Sequence, residues 1–174
     1  MRIVPATRAH VAAMTQLMAR SPLLRRYGVT RHRAHASLGE GLRERDLILV
    51  SLEGRDLLGL AWVITTRALD RTAYLRLLLV AEGSQSRGVG AALLEDAERR
   101  VIVLGSRHIV LLVTTANRRA RTFYVAHGYR HVGGLPGFVR PRIGESLYVK
   151  SLPAGSPRPR AVRARVSSRR PDSS

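Results

Sequence analysis

Hydrophobic and polar positions alternate along this chain with two different periods. Short apolar runs bounded by turn residues predict strands, and apolar residues spaced by three and four predict helices. The predicted strands are residues 2–7, 47–52, 56–66, 73–81, 108–115, 129–134 and 146–152. The predicted helices are residues 9–20, 31–45, 88–105 and 117–128. Because an early hairpin is followed by strands that alternate with helices, the pattern predicts a mixed α/β sandwich.

Two of the predicted helices differ in their glycine content. Residues 31–45 predict a weak, polar helix interrupted by Gly39 and Gly41. Residues 88–105 predict a stronger helix that ends near Gly105. Its inward face is expected to consist of Val89, Leu93, Leu94 and Ala97.

A glycine-rich loop joins the apolar strand at residues 73–81 to the helix at residues 88–105. A tight turn would explain its glycines, and so would an anion bound to the free N–H groups at the helix N-terminus. A dinucleotide-binding motif is excluded because Leu93 stands where its third glycine belongs. A Walker loop is excluded because no Gly-Lys-Ser/Thr follows. A diphosphate held by the amides near Gly88 and Gly90, with charge from Arg87, fits the remaining pattern.

Composition adds limits on class and location. The chain has 174 residues and no cysteine, so we expect one domain without disulfides or thiolate metal sites. His32 and His35 lie three apart, but no third ligand is evident, and we expect no metal. No apolar run is long enough to span a membrane, and the N-terminus lacks the apolar region of a signal peptide. We therefore expect a cytoplasmic protein that does not contact membranes.

The net charge of +18 points to an anionic partner without identifying it. Lysine occurs once, at Lys150, and arginine supplies the rest of the 30 basic residues. Residues 153–174 are rich in Pro, Arg and Ser and have no hydrophobic period, so we expect a disordered tail that either is solvated without a role or binds polyanions weakly. The folded domain is then expected to span residues 1–152.

Two segments, in the right order, carry a family resemblance. The first is "LLVAEGSQSRGVGAALLEDA" (78–97). It resembles the acetyl-CoA-binding segment of the Gcn5-related N-acetyltransferases, whose signature is Gln/Arg-x-x-Gly-x-Gly/Ala after the fourth strand. The second, "NRRARTFYVAHGY" (117–129), resembles the family's Asn-x-x-Ala-x-x-Phe-Tyr-x-x-x-Gly-Phe/Tyr segment. The resemblance covers residues 2–152 and implies a mixed, mostly antiparallel central sheet with helices on both faces.

The resemblance implies acetyl-CoA as cosubstrate and gives each part of it a place. In this family the fourth and fifth strands splay apart, and the pantetheine arm enters the gap like an added strand. The arm is then expected at Leu78, Leu79 and Val80, with the Val80 N–H polarising the thioester carbonyl and Asn117 contacting the arm. The residues implied to hold the pyrophosphate are Gln85, Ser86, Arg87, Gly88, Val89, Gly90 and Ala91.

The candidate catalytic residues are Tyr124 and Glu82. Tyr124 contacts the cosubstrate and is the implied general acid for the leaving thiolate, since a phenol stays protonated at neutral pH. Some family members carry a glutamate on the fourth or fifth strand as the base, but neither predicted strand has a carboxylate here. Glu82, just beyond the fourth strand, is the nearest acid. A water chain, or an amine of low pKa, would serve as well.

The resemblance implies an N-acetyltransferase that moves an acetyl group from acetyl-CoA to a primary amine by direct attack in a ternary complex. The acceptor, a small molecule or a peptide, is expected to contact residues 21–35 and 133–145, the latter with Phe138, Arg140 and Arg142. Two alternatives stay open: a non-catalytic acetyl-CoA-binding regulatory module, and an enzyme acting on a nucleic-acid-linked amine such as charged tRNA. A homodimer is expected only because dimers are the commonest assembly.

Overall fold

A computed structural model of the chain describes residues 1–153. The predicted tail therefore lies outside the described residues, apart from Pro153. Within residues 1–153, seven strands form a single sheet in the order β1-β2-β3-β4-β5-β7-β6. The strands are β1 (Arg2–Pro5), β2 (Leu47–Glu53), β3 (Asp56–Thr65), β4 (Ala73–Val80), β5 (His108–Thr114), β6 (Arg130–Arg140) and β7 (Ile143–Ser151). Neighbouring strands are antiparallel except β4 and β5, which are parallel.

The helices cover both faces of this sheet. They are α1 (Val11–Arg20), α2 (Pro22–Arg26), α3 (Arg31–Arg43), the single turn α4 (Ala68–Arg71), α5 (Val89–Val103) and α6 (Arg118–Ala126). On one face α5 and α6 bury a core that includes Leu75, Leu93 and Leu111. On the other face α1 and α3 cover a second core around Met14 and Trp62. The predicted mixed, mostly antiparallel sheet with helices on both faces is confirmed.

Helix α3 corrects the prediction of an interruption, because it runs unbroken through Gly39 and Gly41. Gly41 is required by packing: a Cβ at this position would lie 2.4 Å from Cζ2 of Trp62. Trp62 is only 1% exposed, and its indole N–H donates to Asp46 Oδ2 at 2.8 Å. The glycine therefore lets α3 approach the sheet closely, and it is not a break.

Strand β6 and helix α2 also differ from the sequence prediction. Strand β6 continues to Arg140, six residues beyond the predicted end, and pairs with β7 across two register shifts. Helix α2 lies between the predicted helices 9–20 and 31–45, where the sequence predicts neither a helix nor a strand. Its N-terminus has a local cause: Ser21 Oγ accepts the Leu24 N–H at 3.3 Å, and Pro22 occupies the first turn.

The feature that positions the site is a gap between β4 and β5. These parallel strands pair only through Ala73–Leu75 of β4 and Ile109–Leu111 of β5. Beyond those residues β4 continues to Val80 and β5 to Thr114, each paired on its outer side only. The sheet is therefore open at the C-terminal ends of its two central strands. The helices within residues 1–153 are all too short or too polar to cross a membrane.

Candidate active site

The open edge of β4 presents backbone groups to the gap. The Ala81 N–H donates to the Leu58 carbonyl at 2.8 Å, on the β3 side. Backbone groups alternate in direction along an antiparallel strand, so those of Leu79 also face β3. The N–H and C=O groups of Leu78 and Val80 consequently face the gap. An extended ligand lying between β4 and β5 would find its hydrogen-bonding partners there.

The N-terminus of α5 supplies a second set of free donors. Gly88 adopts a left-handed backbone with φ of 77°, which glycine takes at no steric cost and which turns the chain into the helix. The amides of Val89, Gly90 and Ala91 donate no hydrogen bond within residues 1–153, and Ala92 is the first to donate back, to the Gly88 carbonyl. Such amides carry partial positive charge and suit an anion.

Most of the predicted cofactor residues line one cavity, which we call the α5 cleft. Its volume is about 490 Å³. The predicted residues that line it are Leu78, Leu79, Val80, Gln85, Ser86, Gly88, Gly90, Ala91, Asn117 and Tyr124. Segments that are separate in sequence, the end of β4, the α5 N-terminus and α6, thus meet around a single space.

Two predicted residues are placed differently. The side chain of Val89 is buried in the core, with 1% exposed, so only its backbone amide is available to a ligand. Arg87 turns away from the α5 cleft and forms an exposed ion pair with Glu53, with an N–O distance of 3.0 Å. The cation inside the cleft is Arg119, which the sequence prediction did not name.

Arg119 joins α6 to the glycine-rich loop. Its Nη1 donates to Gln85 Oε1 at 2.8 Å, and its Nη2 donates to Ser86 Oγ at 3.1 Å. Arg119 also lines the α5 cleft. It stands at a variable position of the recognised motif, in an arginine-rich stretch, so no sequence signal separated it from its neighbours.

Asn117 has a structural contact beside its predicted role. Its Oδ1 accepts the Ala120 N–H at 3.1 Å and so caps α6. Its carboxamide nitrogen makes no hydrogen bond within residues 1–153 and remains available on the wall of the cleft.

Tyr124 lies where two cavities meet. The residue is 8% exposed, and its ring packs edge-on against Phe123 and Tyr129, with centroids 5.2 and 5.4 Å away. Burial raises the pKa of Tyr124 above its ordinary value of 10.0, so its hydroxyl keeps its proton at neutral pH. That hydroxyl makes no hydrogen bond to the described part of the chain.

The second cavity, which we call the Glu145 cavity, has a volume of about 510 Å³. It lies between β4 and β5 and is closed by α2, the α2–α3 loop and the β6–β7 hairpin. It shares five lining residues with the α5 cleft, namely Leu23, Leu78, Asn117, Ala120 and Tyr124. Segments 21–35 and 133–145, predicted to contact the acceptor, both contribute to its lining. Of the side chains named from 133–145, Arg140 lines the cavity, whereas Phe138 is 67% exposed on the surface and neither Phe138 nor Arg142 lines it.

Glu145 is the carboxylate of this cavity, and it is 2% exposed. Tyr27 donates a hydrogen bond to Glu145 Oε1, and the same hydroxyl lies 2.6 Å from Thr114 Oγ1. Burial, with a smaller effect from the hydrogen bond to Glu145, raises the pKa of Tyr27 to about 12. Sequence reasoning missed Glu145 because it searched the fourth and fifth strands, whereas this glutamate stands on β7 opposite Thr114 of β5.

Glu82 is not brought together with Tyr124. It lies in a short 3₁₀ turn after β4, is exposed, and lines a different depression that also contains Arg20 and Arg55. Within residues 1–153, no group of three or more His, Cys, Asp or Glu side chains could hold a metal ion.

Comparison with known sequences assigns the family. The sequence model of the Acetyltransferase (GNAT) family matches residues 13–129, which contain both motifs and most of the residues lining the α5 cleft. The chain belongs to the GNAT acetyltransferase family. A comparison with curated proteins finds no matching sequence.

Solved structures share the GNAT fold at low sequence identity. The ribosomal-protein-S18-alanine N-acetyltransferase of Escherichia coli is 18% identical, with a TM-score of 0.72 over 90% of this chain and 95% of that one. An aminoglycoside 6'-acetyltransferase type Ii is 20% identical, with a TM-score of 0.74 over 91% and 100%. YncA from Salmonella typhimurium, whose structure includes its cofactor acetyl-CoA, is 19% identical, with a TM-score of 0.71 over 87% and 94%. These likenesses show the fold.

The α5 cleft of this GNAT protein fits a diphosphate on its own geometry. A Cβ at Gly90 would meet Val80 Cγ2 at 3.5 Å and Phe123 at 3.8 Å, which are ordinary contacts. Packing inside the protein therefore does not require glycine at this position. A ligand lying directly on the helix amides would require it, because a methyl group there would cover them.

Proposed function

We propose that the chain is an N-acetyltransferase that transfers the acetyl group of acetyl-CoA to a primary amine by direct attack in a ternary complex. The observation that carries the proposal is the position of Tyr124, which lines both the α5 cleft and the Glu145 cavity. A proton donor at that junction reaches both a cosubstrate and an acceptor. We assign the acetyltransferase domain to residues 1–152, since the first and last strands along the chain, β1 and β7, both belong to the sheet.

Acetyl-CoA supplies an activated acetyl thioester when bound. In this proposal its diphosphate binds to the amides of Val89, Gly90 and Ala91 and to Arg119. The Val80 N–H faces the gap and is the proposed donor to the thioester oxygen, an interaction worth on the order of 3 kcal/mol in other enzymes. Tyr124 holds the proton that its hydroxyl gives to the leaving sulfur. The chain has no cysteine, so an acyl-cysteine route is excluded.

The test is release of free thiol from acetyl-CoA in the presence of a panel of primary amines and peptides. Tyr124→Phe keeps the ring and removes the acid, so we expect a kcat reduced about 10²-fold or more with little change in the Kd for acetyl-CoA. Tyr148→Phe is the matched control, because its hydroxyl bonds Arg121 and lines neither cavity. An unchanged kcat in Tyr124→Phe would remove Tyr124 from the mechanism.

The same assay separates the other two functions. Calorimetric binding of acetyl-CoA without thiol release for any amine, peptide or RNA would indicate a regulatory module. A nucleic-acid-linked acceptor predicts RNA binding that weakens steeply with salt, because binding releases counterions. A flat salt response would exclude that acceptor.

A further inference from the structure

The carboxylate of Glu145 is buried without a compensating cation. Its residue is 2% exposed, and within residues 1–153 it forms no ion pair. A buried carboxylate that lacks a cation is unfavourable unless hydrogen bonds or a bound positive group compensate it. A ligand that brings positive charge to this position would therefore be stabilised.

One oxygen of this carboxylate is free to meet such a ligand. Tyr27 donates to Oε1, whereas Oε2 accepts no hydrogen bond within the described residues, and Glu145 lines the cavity. Tyr27 is held in place by Thr114, at 2.6 Å, and by Arg140, whose Nε donates to the Tyr27 carbonyl at 3.0 Å. Because Tyr27 gives its only hydrogen to Glu145, Thr114 donates to Tyr27. The cluster therefore leaves Glu145 Oε2 as an acceptor for a hydrogen-bond donor on a ligand.

The other charges of the cavity are positive. Arg140 is bound to the Tyr27 carbonyl, and the Arg76 guanidinium stacks 4.5 Å from the centre of the Trp62 ring. Both line the Glu145 cavity. They would repel a second cation on a ligand whose first cation sits on Glu145.

The rest of the wall is largely apolar. Among the residues that line it are Leu24, Val29, Leu77, Leu112, Val113 and Val139. At about 510 Å³ the cavity has the size of a small-molecule site. The cavity therefore fits a ligand whose apolar part is compact.

We propose that Glu145 receives the acceptor of the acetyl group, and that this acceptor is a primary amine on a compact apolar group with no second positive charge. The inference rests on the proposed acetyltransferase function and names the substrate class of that same site. Glu145 Oε2 binds the ammonium, and the apolar walls hold the attached group. The amine nitrogen then lies in a cavity whose wall includes Tyr124.

Glu145 also takes the proton that must leave before the amine can attack. An alkylammonium with a pKa near ~10.4 is almost fully protonated at neutral pH, so its nitrogen has no free electron pair. In the proposed step one N–H bond breaks, an O–H bond forms on Glu145, and the electron pair stays on nitrogen. The titratable and charged groups that line the cavity are Tyr27, Tyr74, Arg76, Tyr124, Arg140 and Glu145. Glu145 is the carboxylate among them, which supplies the base that β4 and β5 lack.

The test compares wild type with Glu145→Gln, which keeps the shape and removes the charge. Glu40→Gln, an exposed carboxylate on α3, is the matched control. With phenethylamine as probe, we expect kcat/KM to fall about 10²-fold or more in Glu145→Gln and to stay unchanged in the control. Wild type should prefer phenethylamine over spermidine by about tenfold or more, because spermidine brings further cations toward Arg76 and Arg140.

A second readout does not depend on turnover. Calorimetry of phenethylamine binding to CoA-saturated protein should show an affinity about tenfold or more lower in Glu145→Gln than in wild type. Acetyl-CoA binding and the melting temperature should be the same in both proteins. Tyr27→Phe, which frees Oε1, should lower kcat/KM less than Glu145→Gln does. Equal kcat/KM and equal phenethylamine affinity in wild type and Glu145→Gln would overturn the inference and leave the acetyltransferase function standing. Glu145-dependent binding without any thiol release would support the site and overturn the proposed function.

Discussion

The guanidinium of Arg119 donates a hydrogen bond of 2.8 Å to the side-chain oxygen of Gln85. This contact ties the first turn of α6 to the loop that leads into α5. It fixes the loop from one side of the α5 cleft while placing a positive charge on the cleft wall. Arg87, two residues after Gln85, is paired with Glu53 outside the cleft.

Replacing Arg119 and Arg87 one at a time with glutamine should show which of the two contributes to acetyl-CoA binding. We expect Arg119→Gln to weaken acetyl-CoA binding about tenfold, because hydrogen bonds to charged groups contribute roughly 1.5–3 kcal/mol. Arg87→Gln, which breaks an exposed ion pair, should change the Kd by less than about threefold. Calorimetry at two salt concentrations measures both. A larger loss of acetyl-CoA affinity in Arg87→Gln than in Arg119→Gln would indicate that Arg87 is the cation that binds the diphosphate.

Gly90→Ala should separate binding from stability. The new methyl group makes only ordinary contacts with Val80 and Phe123, so we expect the melting temperature to be kept or slightly raised. The methyl group covers the amides at the start of α5, so acetyl-CoA binding should weaken about tenfold, which is about 1.4 kcal/mol. Gly83→Ala is the control, because a Cβ there meets nothing within 4 Å and Gly83 does not line the α5 cleft. Equal affinities in the two variants would contradict ligand contact at Gly90.

Gly41→Ala and Gly39→Ala should have opposite effects on stability, although both glycines lie in α3. A Cβ at Gly41 would lie 2.4 Å from Trp62, and overpacking of this kind costs about 1–3 kcal/mol. A Cβ at Gly39 meets only the end of Arg43, at 3.9 Å, and alanine should gain about 0.5–1 kcal/mol of helix stability. Urea unfolding followed by Trp62 fluorescence measures both. A destabilised Gly39→Ala would mean that α3 is constrained there too.

The raised pKa of Tyr27 predicts a loss of stability in alkali. Its pKa lies at about 12 in the folded protein against an ordinary value of 10.0. Below pH 10 both folded and unfolded chains keep the proton, and between pH 10 and about 12 only the folded chain does, so stability falls as the pH rises through this window. The urea midpoint should therefore fall less steeply in Tyr27→Phe than in wild type. Parallel curves for the two proteins would contradict this assignment.

The parts of the fold and site that could be predicted are those that depend on residues close together in the sequence. The strand, loop and helix from Ala73 to Val103 follow one another directly, and Asn117 caps the same helix, α6, that carries Tyr124. Strand β6 was predicted to end at residue 134, before Pro136 and Gly137, which are typical of turns, whereas here both lie in a strand with shifted register. The glycines of α3 were misread for the same reason, since the partner that requires Gly41 lies on another element.

The pairing of Tyr27 with Glu145 could not be predicted, because these residues are 118 positions apart and belong to no shared local pattern. Their contact arises only when the α2–α3 loop folds over β7. The role of Arg119 is similar, since its partners Gln85 and Ser86 lie 34 and 33 positions away. Composition pointed to many arginines without telling which of them enters the cleft.

The short pairing between β4 and β5 makes the molecule two half-sheets joined along a seam of three residue pairs. This ladder is shorter than each of the other ladders in the sheet. An extended ligand inserted between Val80 and Thr114 would connect the two half-sheets through hydrogen bonds. Amide hydrogen exchange should then slow in both β4 and β5. Under the proposed function, slower exchange along both β4 and β5 would therefore report the binding of acetyl-CoA.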